Sequence, residues 1–340
     1  MIPNIIQDRE YWIDAVRSFA CLCVITTHAP IPNSLGGGEM FVSAFNYYSV
    51  AGASILFFMI SGSLVLYKEK PIIPFIRKRI TRIVFPMVFW TIITLSIDCI
   101  LGNISLGTLG RRICMIPFSP QVGTYWFIYV IFGIYLVTPI LASWLNRCTK
   151  RDVEFYLLIW GVTLLLPYLT WLKKDFSILI NYNHGYLYYF YGYLGFAVLG
   201  FYLRRYVNIK EYHLSHYILS IILILLPVLL LNTTFIPHDI VHNRMSINIV
   251  FLAICYFIII KHIKFSRRAS LICYNFAQHS FGIYLVQILV MRKCLWPLLT
   301  PLNLHYAIQI PLVVLLTAFF SYLLVHLISK FPYSKYIVGL

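Results

Sequence analysis

The dominant feature of the sequence is a series of long apolar runs separated by short segments that contain charges, Pro, Gly and Asn. A helix needs about 20 mostly apolar residues to cross a bilayer, so each run is long enough to span a membrane. We therefore predict an all-α, polytopic integral-membrane helical bundle of about ten transmembrane helices. The predicted spans are 12–31, 47–67, 83–102, 124–145, 155–172, 184–203, 214–232, 246–263, 276–294 and 307–328.

The composition excludes an ordinary soluble domain. Of the 340 residues, 60% are hydrophobic and only 11% are charged, whereas a typical soluble domain has about 25% charged residues. The spans leave little chain for a separate water-soluble domain, and no linker or internal repeat divides the sequence. We therefore predict a single membrane domain over residues 1–340.

The distribution of positive charge predicts the orientation. Of the 27 Lys and Arg residues, 19 fall in the segments on one side of the predicted membrane and seven on the other, and Arg17 lies within the first span. Cytoplasmic segments collect positive charge, so this asymmetry predicts that both termini are cytoplasmic. It also explains most of the net charge of +16 through membrane topology, and we expect membrane lipids and no nucleic acid as partners.

Two further features narrow the class of protein. The N-terminus has no basic stretch followed by a cleavable apolar core, so the first span is expected to act as the insertion signal and to be retained. The eight cysteines are scattered and form no CxxC pair, so the sequence signals neither a zinc site nor a disulfide framework, and we expect no metal.

The first predicted span carries Asp14, Arg17 and His28. Eleven residues make about three helical turns, so Arg17 and His28 are expected on one face, with Asp14 one turn below Arg17. In one interpretation Arg17 reaches the headgroups, Asp14 pairs with it and His28 bonds another helix. In the other, the three residues line a water-filled cavity in which His28 acts as a general base.

These residues also support a resemblance. The segment YWIDAVRSFACLCVITTH, followed by LFFMISGSLVLY, resembles the opening of the acyltransferase 3 family of integral-membrane O-acyltransferases. Four later segments agree with the family in order: RKRITRIVFP, TYWFIYVIFGIYLVTPIL, GYLYYFYGYLGFAVLG and HSFGIYLVQ. The sequences of these segments are most similar to those of the members that acetylate enterobacterial common antigen.

The resemblance implies roles for particular positions. Arg17 and His28 match the family's Arg-x10-His pair, which is linked to catalysis, and Asp14 would fix Arg17. Arg79 and Arg82 match an Arg-x-x-Arg motif associated with acyl-CoA at the cytoplasmic face. Guanidinium groups bind phosphates by paired, charge-assisted hydrogen bonds, and coenzyme A carries several phosphates. In the alternative interpretation, Arg79 and Arg82 only help to set the topology.

Other candidate residues are open to one or two interpretations. Ser61, in the Ser-Gly-Ser triplet, either permits close helix packing or lines an acyl tunnel. Trp126 either belongs to an aromatic belt with its neighbouring tyrosines or forms a platform for a sugar ring. Tyr189 belongs to a tyrosine-rich run that could form a cavity wall. Asp98 could orient His28 or pair with a basic residue of an outer loop. Gln287 stands where the family often has a histidine.

The resemblance predicts a membrane O-acyltransferase. It would move an acyl group from acyl-CoA to a sugar hydroxyl of a lipid-linked or surface polysaccharide. The expected acyl group is acetyl, with acetyl-CoA as the donor. The expected location is the inner membrane of a bacterial cell. The alternative is a transporter that exports a polysaccharide or a lipid-linked sugar. A transporter would be expected to show inverted repeats or paired broken helices, and the sequence shows neither.

Overall fold

The computed structural model describes residues 10–31, 38–172, 185–207, 218–220, 222 and 237–340, and this part of the chain contains helices and no strand. Two π-helical segments, Ile80–Val84 and Leu289–Leu295, interrupt the α-helices. The helices are α1 (Tyr11–Thr27), α2 (Glu39–Gly52), α3 (Ser54–Val65), α4 (Ile72–Arg79), α5 (Phe85–Ile100), α6 (Leu106–Met115), α7 (Trp126–Arg147), α8 (Lys150–Thr163), α9 (Leu166–Trp171), α10 (Leu194–Arg205), α11 (His238–Val241), α12 (Ile247–His262), α13 (Arg267–Ile288), α14 (Trp296–Leu299), α15 (Tyr306–Ser329) and α16 (Ser334–Ile337).

The helices confirm a polytopic, all-helical membrane protein. Within the described residues, six continuous helical stretches are long and apolar enough to cross a membrane: Glu39–Val65, Ile72–Ile100, Gly123–Arg147, Lys150–Leu169, Arg267–Leu302 and Tyr306–Ser329.

Of the other four predicted spans, three correspond to helices shorter than predicted, and one lies almost wholly outside the described residues. The run at 12–31 corresponds to α1, which has 17 residues, and the run at 246–263 to α12, which has 16. The run at 184–203 contains the 12-residue α10. The predicted span 214–232 lies almost wholly outside the described residues.

The chain forms two compact units, each built from distant segments. The first unit takes its described residues from Met1–Thr27, Leu35–Leu64 and Cys148–Gln278. The second unit takes them from His28–Ser34, Val65–Arg147 and His279–Leu340. The single domain over residues 1–340 stays a prediction.

In the first unit, α3 and α10 approach each other through glycines. A Cβ atom at Gly62 would lie 1.9 Å from the carbonyl oxygen of Ala197, and one at Gly200 would lie 1.9 Å from the carbonyl oxygen of Met59. Small residues allow membrane helices to approach closely when no hydrophobic effect draws them together. The packing interpretation of the Ser-Gly-Ser triplet is therefore confirmed for its central glycine.

In the second unit, each π-helical segment ends just before a proline. Phe85 and Pro86 follow the segment Ile80–Val84, and Trp296 and Pro297 follow the segment Leu289–Leu295. A proline lacks the N–H that would bond the carbonyl four residues earlier and its ring crowds that carbonyl, so the regular α-helical pattern fails there. Arg82 lies in the first of these irregular segments.

We expect Gly62→Ala and Gly200→Ala each to destabilise the protein, because the added methyl group meets backbone atoms that cannot rotate away. The cost of such overpacking is about 1–3 kcal/mol or more, seen as a lower melting temperature in detergent. Gly133→Ala is the matched control, since Gly133 lies inside α7 and a Cβ there meets nothing within 4 Å. Equal melting temperatures for all three variants would contradict the close approach of α3 and α10.

Candidate active site

Asp14 and Arg17 lie on α1 in the first unit. Asp14 is buried, with 3% of its surface exposed, and Arg17 is half-buried. Ser18, the next residue, is anchored to α13 because its hydroxyl donates to the carbonyl oxygen of Cys273 at 2.9 Å. A buried carboxylate and a half-buried guanidinium one turn apart on the same helix give α1 the polar face that the sequence predicts.

His28 lies just beyond α1, in the second unit. The helix ends at Thr27, so the predicted helical span 12–31 is too long, and the argument from a shared helical face holds only up to Thr27. The physical reason is Pro30, because a proline disfavours helical backbone in the residue before it and supplies no N–H of its own. The side chain of His28 is half-buried.

The second unit brings His28 to Gln287. Nδ1 of the imidazole lies 3.4 Å from Nε2 of the Gln287 side chain. Gln287 is completely buried on α13, and among the described residues its Oε1 has no hydrogen-bond partner. In the sequence, Gln287 stands out as a departure from the family pattern; a polar amide within a long apolar segment signals a buried hydrogen bond there but does not identify His28 as the partner.

Two tyrosine contacts fix the part of α13 that carries Gln287. The Tyr125 hydroxyl donates to the carbonyl oxygen of Leu285 at 2.6 Å, and the Tyr284 hydroxyl donates to the carbonyl oxygen of Thr124. Tyr125 is buried, with 1% of its surface exposed. Tyr125 therefore serves as an internal tie between two helical segments of the second unit, and the interpretation as an interfacial belt residue is wrong for it.

Arg79 and Arg82 occupy different surroundings. The Arg79 guanidinium contacts two rings, with its Cζ 4.9 Å from the centre of Phe75 and 4.5 Å from the centre of Tyr135. Its Nε is buried and has no hydrogen-bond partner in the part of the chain that the structure describes. Arg82 is exposed in the π-helical segment, where an i→i+5 pattern rotates it away from the position that an α-helix would give.

Lys70 adds a cation beside Arg79, and we refer to Lys70, Arg79 and Arg82 together as the positive cluster. Its Nζ lies 5.5 Å from the centre of the Phe75 ring, which also contacts Arg79. Burial lowers the pKa of Lys70 below its usual range, and the positive charges of Arg79 and Lys78 lower it further. An anion bound here would relieve this repulsion, so the cluster is suited to phosphate groups. Sequence reasoning counted Lys70 only as a topology signal.

The C-terminal residues pack against the segment that holds Arg82. Trp90 Nε1 donates to the carbonyl oxygen of Ile337 at 2.9 Å, and Val338 is fully buried. Gly339 has φ +78°, and a Cβ atom there would lie 2.5 Å from the carbonyl oxygen of Arg82. The backbone position of Arg82 thus depends on a glycine at the end of the chain.

The three candidate substrate-binding residues, Ser61, Trp126 and Tyr189, differ in their exposure. Ser61 is half-buried on α3 in the first unit, and its neighbour Ser63 is buried with its hydroxyl donating to the carbonyl oxygen of Ile60 at 2.8 Å. Tyr189, also in the first unit, has 78% of its surface exposed. Trp126 is half-buried at the start of α7 in the second unit. Their roles toward substrate stay predictions.

Of the two alternatives predicted for Asp98, the structure supports an ion pair with a basic residue. Its carboxylate lies 2.6 Å from Nζ of Lys293 and also accepts a hydrogen bond from Asn103 at 3.1 Å. Asp98 therefore pairs with a base from a segment predicted on the outer side. No group of three or more His, Cys, Asp or Glu side chains that could hold a metal occurs among the described residues.

A comparison of the chain with models of protein families identifies its family. The model of the acyltransferase 3 family, described as an acyltransferase domain, matches residues 10–326. The chain belongs to this family. The match covers all but the first nine and the last 14 residues. No curated protein and no solved structure gives a significant match.

Family and fold together establish the general activity. The protein is an acyltransferase embedded in a membrane by apolar helices. The matched region includes Asp14, Arg17, His28, Arg79 and Arg82. It also includes Gln287, and it stops before the C-terminal residues that pack against Arg82.

We expect Gly339→Ala to destabilise the protein by more than Gly102→Ala does. Gly102 has φ +74° and meets nothing within 4 Å, so its substitution reports the backbone strain alone, on the order of 1 kcal/mol. Gly339→Ala carries the same strain and adds a clash with the Arg82 carbonyl. Melting temperatures of the two variants in detergent measure the difference, and a Gly339→Ala variant no less stable than Gly102→Ala would disprove the contact.

Proposed function

We propose that this membrane acyltransferase transfers an acetyl group from acetyl-CoA to a sugar hydroxyl of a lipid-linked or surface polysaccharide. The reaction would take place in the inner membrane of a bacterial cell, with the donor entering from the cytoplasmic face. The observation that carries the proposal is the combination of the family match with an imidazole, His28, whose Nδ1 faces a buried amide.

The cluster of Lys70, Arg79 and Arg82 would bind the donor. Coenzyme A carries several phosphates, and the second unit has five cations within the 13 residues from Lys70 to Arg82, these three among them. The Arg79 guanidinium contacts the rings of both Phe75 and Tyr135, so its position is restricted before any ligand binds. A pre-oriented cation loses little side-chain entropy on binding, and this favours its use for an anionic ligand.

His28 would act as the general base. In the proposed step, Nε2 takes the proton of the sugar hydroxyl while the hydroxyl oxygen attacks the thioester carbonyl carbon. The carbon–sulfur bond then breaks, and the coenzyme A thiolate leaves and receives the proton from His28, so that protons balance. Arg17 would stabilise the negative oxygen that develops on the thioester carbonyl, and Asp14 would orient Arg17.

The double variant Arg79→Ala with Arg82→Ala is expected to bind acetyl-CoA at least about 100-fold more weakly, because it loses two charge-assisted hydrogen bonds that are worth about 1.5–3 kcal/mol each. Binding of radiolabelled acetyl-CoA to purified protein measures this. Arg111→Ala is the matched control, since Arg111 is an exposed arginine of a segment predicted on the outer side. Unchanged binding in the double variant would remove the cluster from the donor site.

His28→Ala is expected to bind acetyl-CoA as the wild type does and to lower the rate of acetyl transfer at least 100-fold, the effect of losing a general base. Transfer of radiolabel from acetyl-CoA into the polysaccharide fraction of membranes measures the rate. The control is His305→Ala, an exposed histidine at the start of α15. A His28→Ala variant with the wild-type rate would exclude His28 as the base. A wild type that neither binds nor consumes acetyl-CoA would favour the transport alternative.

A further inference from the structure

The Gln287 carboxamide lies in a buried position, where a polar side chain is unfavourable unless it forms hydrogen bonds. It is fully buried on α13, between Val286, which is also fully buried, and the apolar Ile288. A buried amide costs on the order of 1–3 kcal/mol unless hydrogen bonds compensate for its lost hydration. Its contact in the described structure is Nδ1 of His28, at 3.4 Å from Nε2.

We propose that Gln287 is the positioning residue of His28: it holds the imidazole at Nδ1 and thereby leaves Nε2 to take the proton of the acceptor hydroxyl. This inference rests on the proposed function and assigns a role to a residue outside the Arg-x10-His pair. Gln287 acts on the reaction only through His28.

The chemistry of the two side chains defines how the amide controls the base. A neutral imidazole carries one proton, and it can accept a proton at Nε2 only while Nδ1 carries the other. When Nε2 of Gln287 donates to Nδ1, the imidazole proton resides on Nε2 and His28 is a donor. After a half-turn of the carboxamide, Oε1 accepts from Nδ1–H and His28 is a base. In the described structure Oε1 has no partner, so this turn breaks no hydrogen bond of that oxygen.

The surroundings of Gln287 hold its backbone in place. The bonds of Tyr125 to Leu285 and of Tyr284 to Thr124 fix the preceding turn of α13. The π-helical segment Leu289–Leu295 begins two residues after Gln287. A π-helical segment within an α-helix frequently marks a functional position.

Gln287→Met tests the proposal, because methionine has nearly the length of glutamine and has no amide. We expect kcat for acetyl transfer to fall about 10- to 100-fold, the range observed when a partner that orients a histidine is removed, while KM for acetyl-CoA stays within twofold. Gln309→Met is the matched control: Gln309 is also buried, at 3% exposure, and its amide contacts the Leu299 carbonyl instead of His28. We expect this control to retain kcat within threefold.

Gln287→Glu supplies a rescue that a purely structural role does not predict. A carboxylate can only accept from Nδ1–H, so it fixes the base form of His28, and we expect kcat at least fivefold above that of Gln287→Met. Melting temperatures of all variants in detergent separate loss of folding from loss of positioning; if Gln287→Met does not fold, Gln287→Asn, whose amide is one methylene too short to reach His28, takes its place.

The outcomes distinguish this inference from the proposed function. Wild-type kcat in a folded Gln287→Met or Gln287→Asn protein, beside a His28→Ala variant that is inactive, would overturn the positioning role and leave the proposed function standing. Equal loss in the Gln287→Met and Gln309→Met proteins would also overturn it, by making buried amides structural in general. A wild type without acetyl transfer would instead overturn the proposed function.

Discussion

The hydrogen bonds from side chains to backbone carbonyls at helix ends and irregular segments are the contacts on which this structure depends. Lipid offers no donor to an exposed carbonyl, so each break in a membrane helix must be satisfied within the protein. At the end of α3, the Arg204 guanidinium donates to the Ser63 carbonyl at 2.6 Å in the first unit. In the second unit, Asn146 donates to the Leu66 carbonyl at 3.0 Å.

This constraint separates structural polar residues from candidates for chemistry. Tyr125, Tyr284 and Trp90 each place their donor on a carbonyl, and Arg204 also forms an ion pair with Glu10 at 2.6 Å. The donors of these residues are used by the fold, so an intramembrane or interfacial position does not by itself make them functional. Arg79 differs, because its guanidinium contacts two aromatic rings and its Nε has no hydrogen-bond partner within the described ranges. An incoming phosphate would provide what the fold does not.

The sequence predicts the local features of this protein better than its long-range contacts. Apolar length predicts the helices, and the spacing of Asp14 and Arg17 predicts a polar face on α1, because both depend on neighbours within one helix. The end of α1 at Thr27 was also readable from Pro30, but an apolar run alone extended the prediction to residue 31. Gln287 and His28 are 259 residues apart, and no periodicity connects them. Lys70 does not stand out in the sequence, because a cation beside a membrane span already has a topological explanation.

The positions of the candidate groups follow from where regular helix stops. His28 comes one residue after α1, Arg82 lies in the π-helical segment before Pro86, and Gln287 lies two residues before the second such segment. Within a regular membrane helix, side chains project at fixed angles and the backbone satisfies itself, so a polar group has few ways to reach a partner. An irregular segment changes the direction of a side chain at the cost of backbone bonds that other residues must replace. The close packing of Gly339 against the Arg82 carbonyl and the hydrogen bond of Tyr125 to the Leu285 carbonyl stand beside two of these candidate groups, and they supply contacts of this kind.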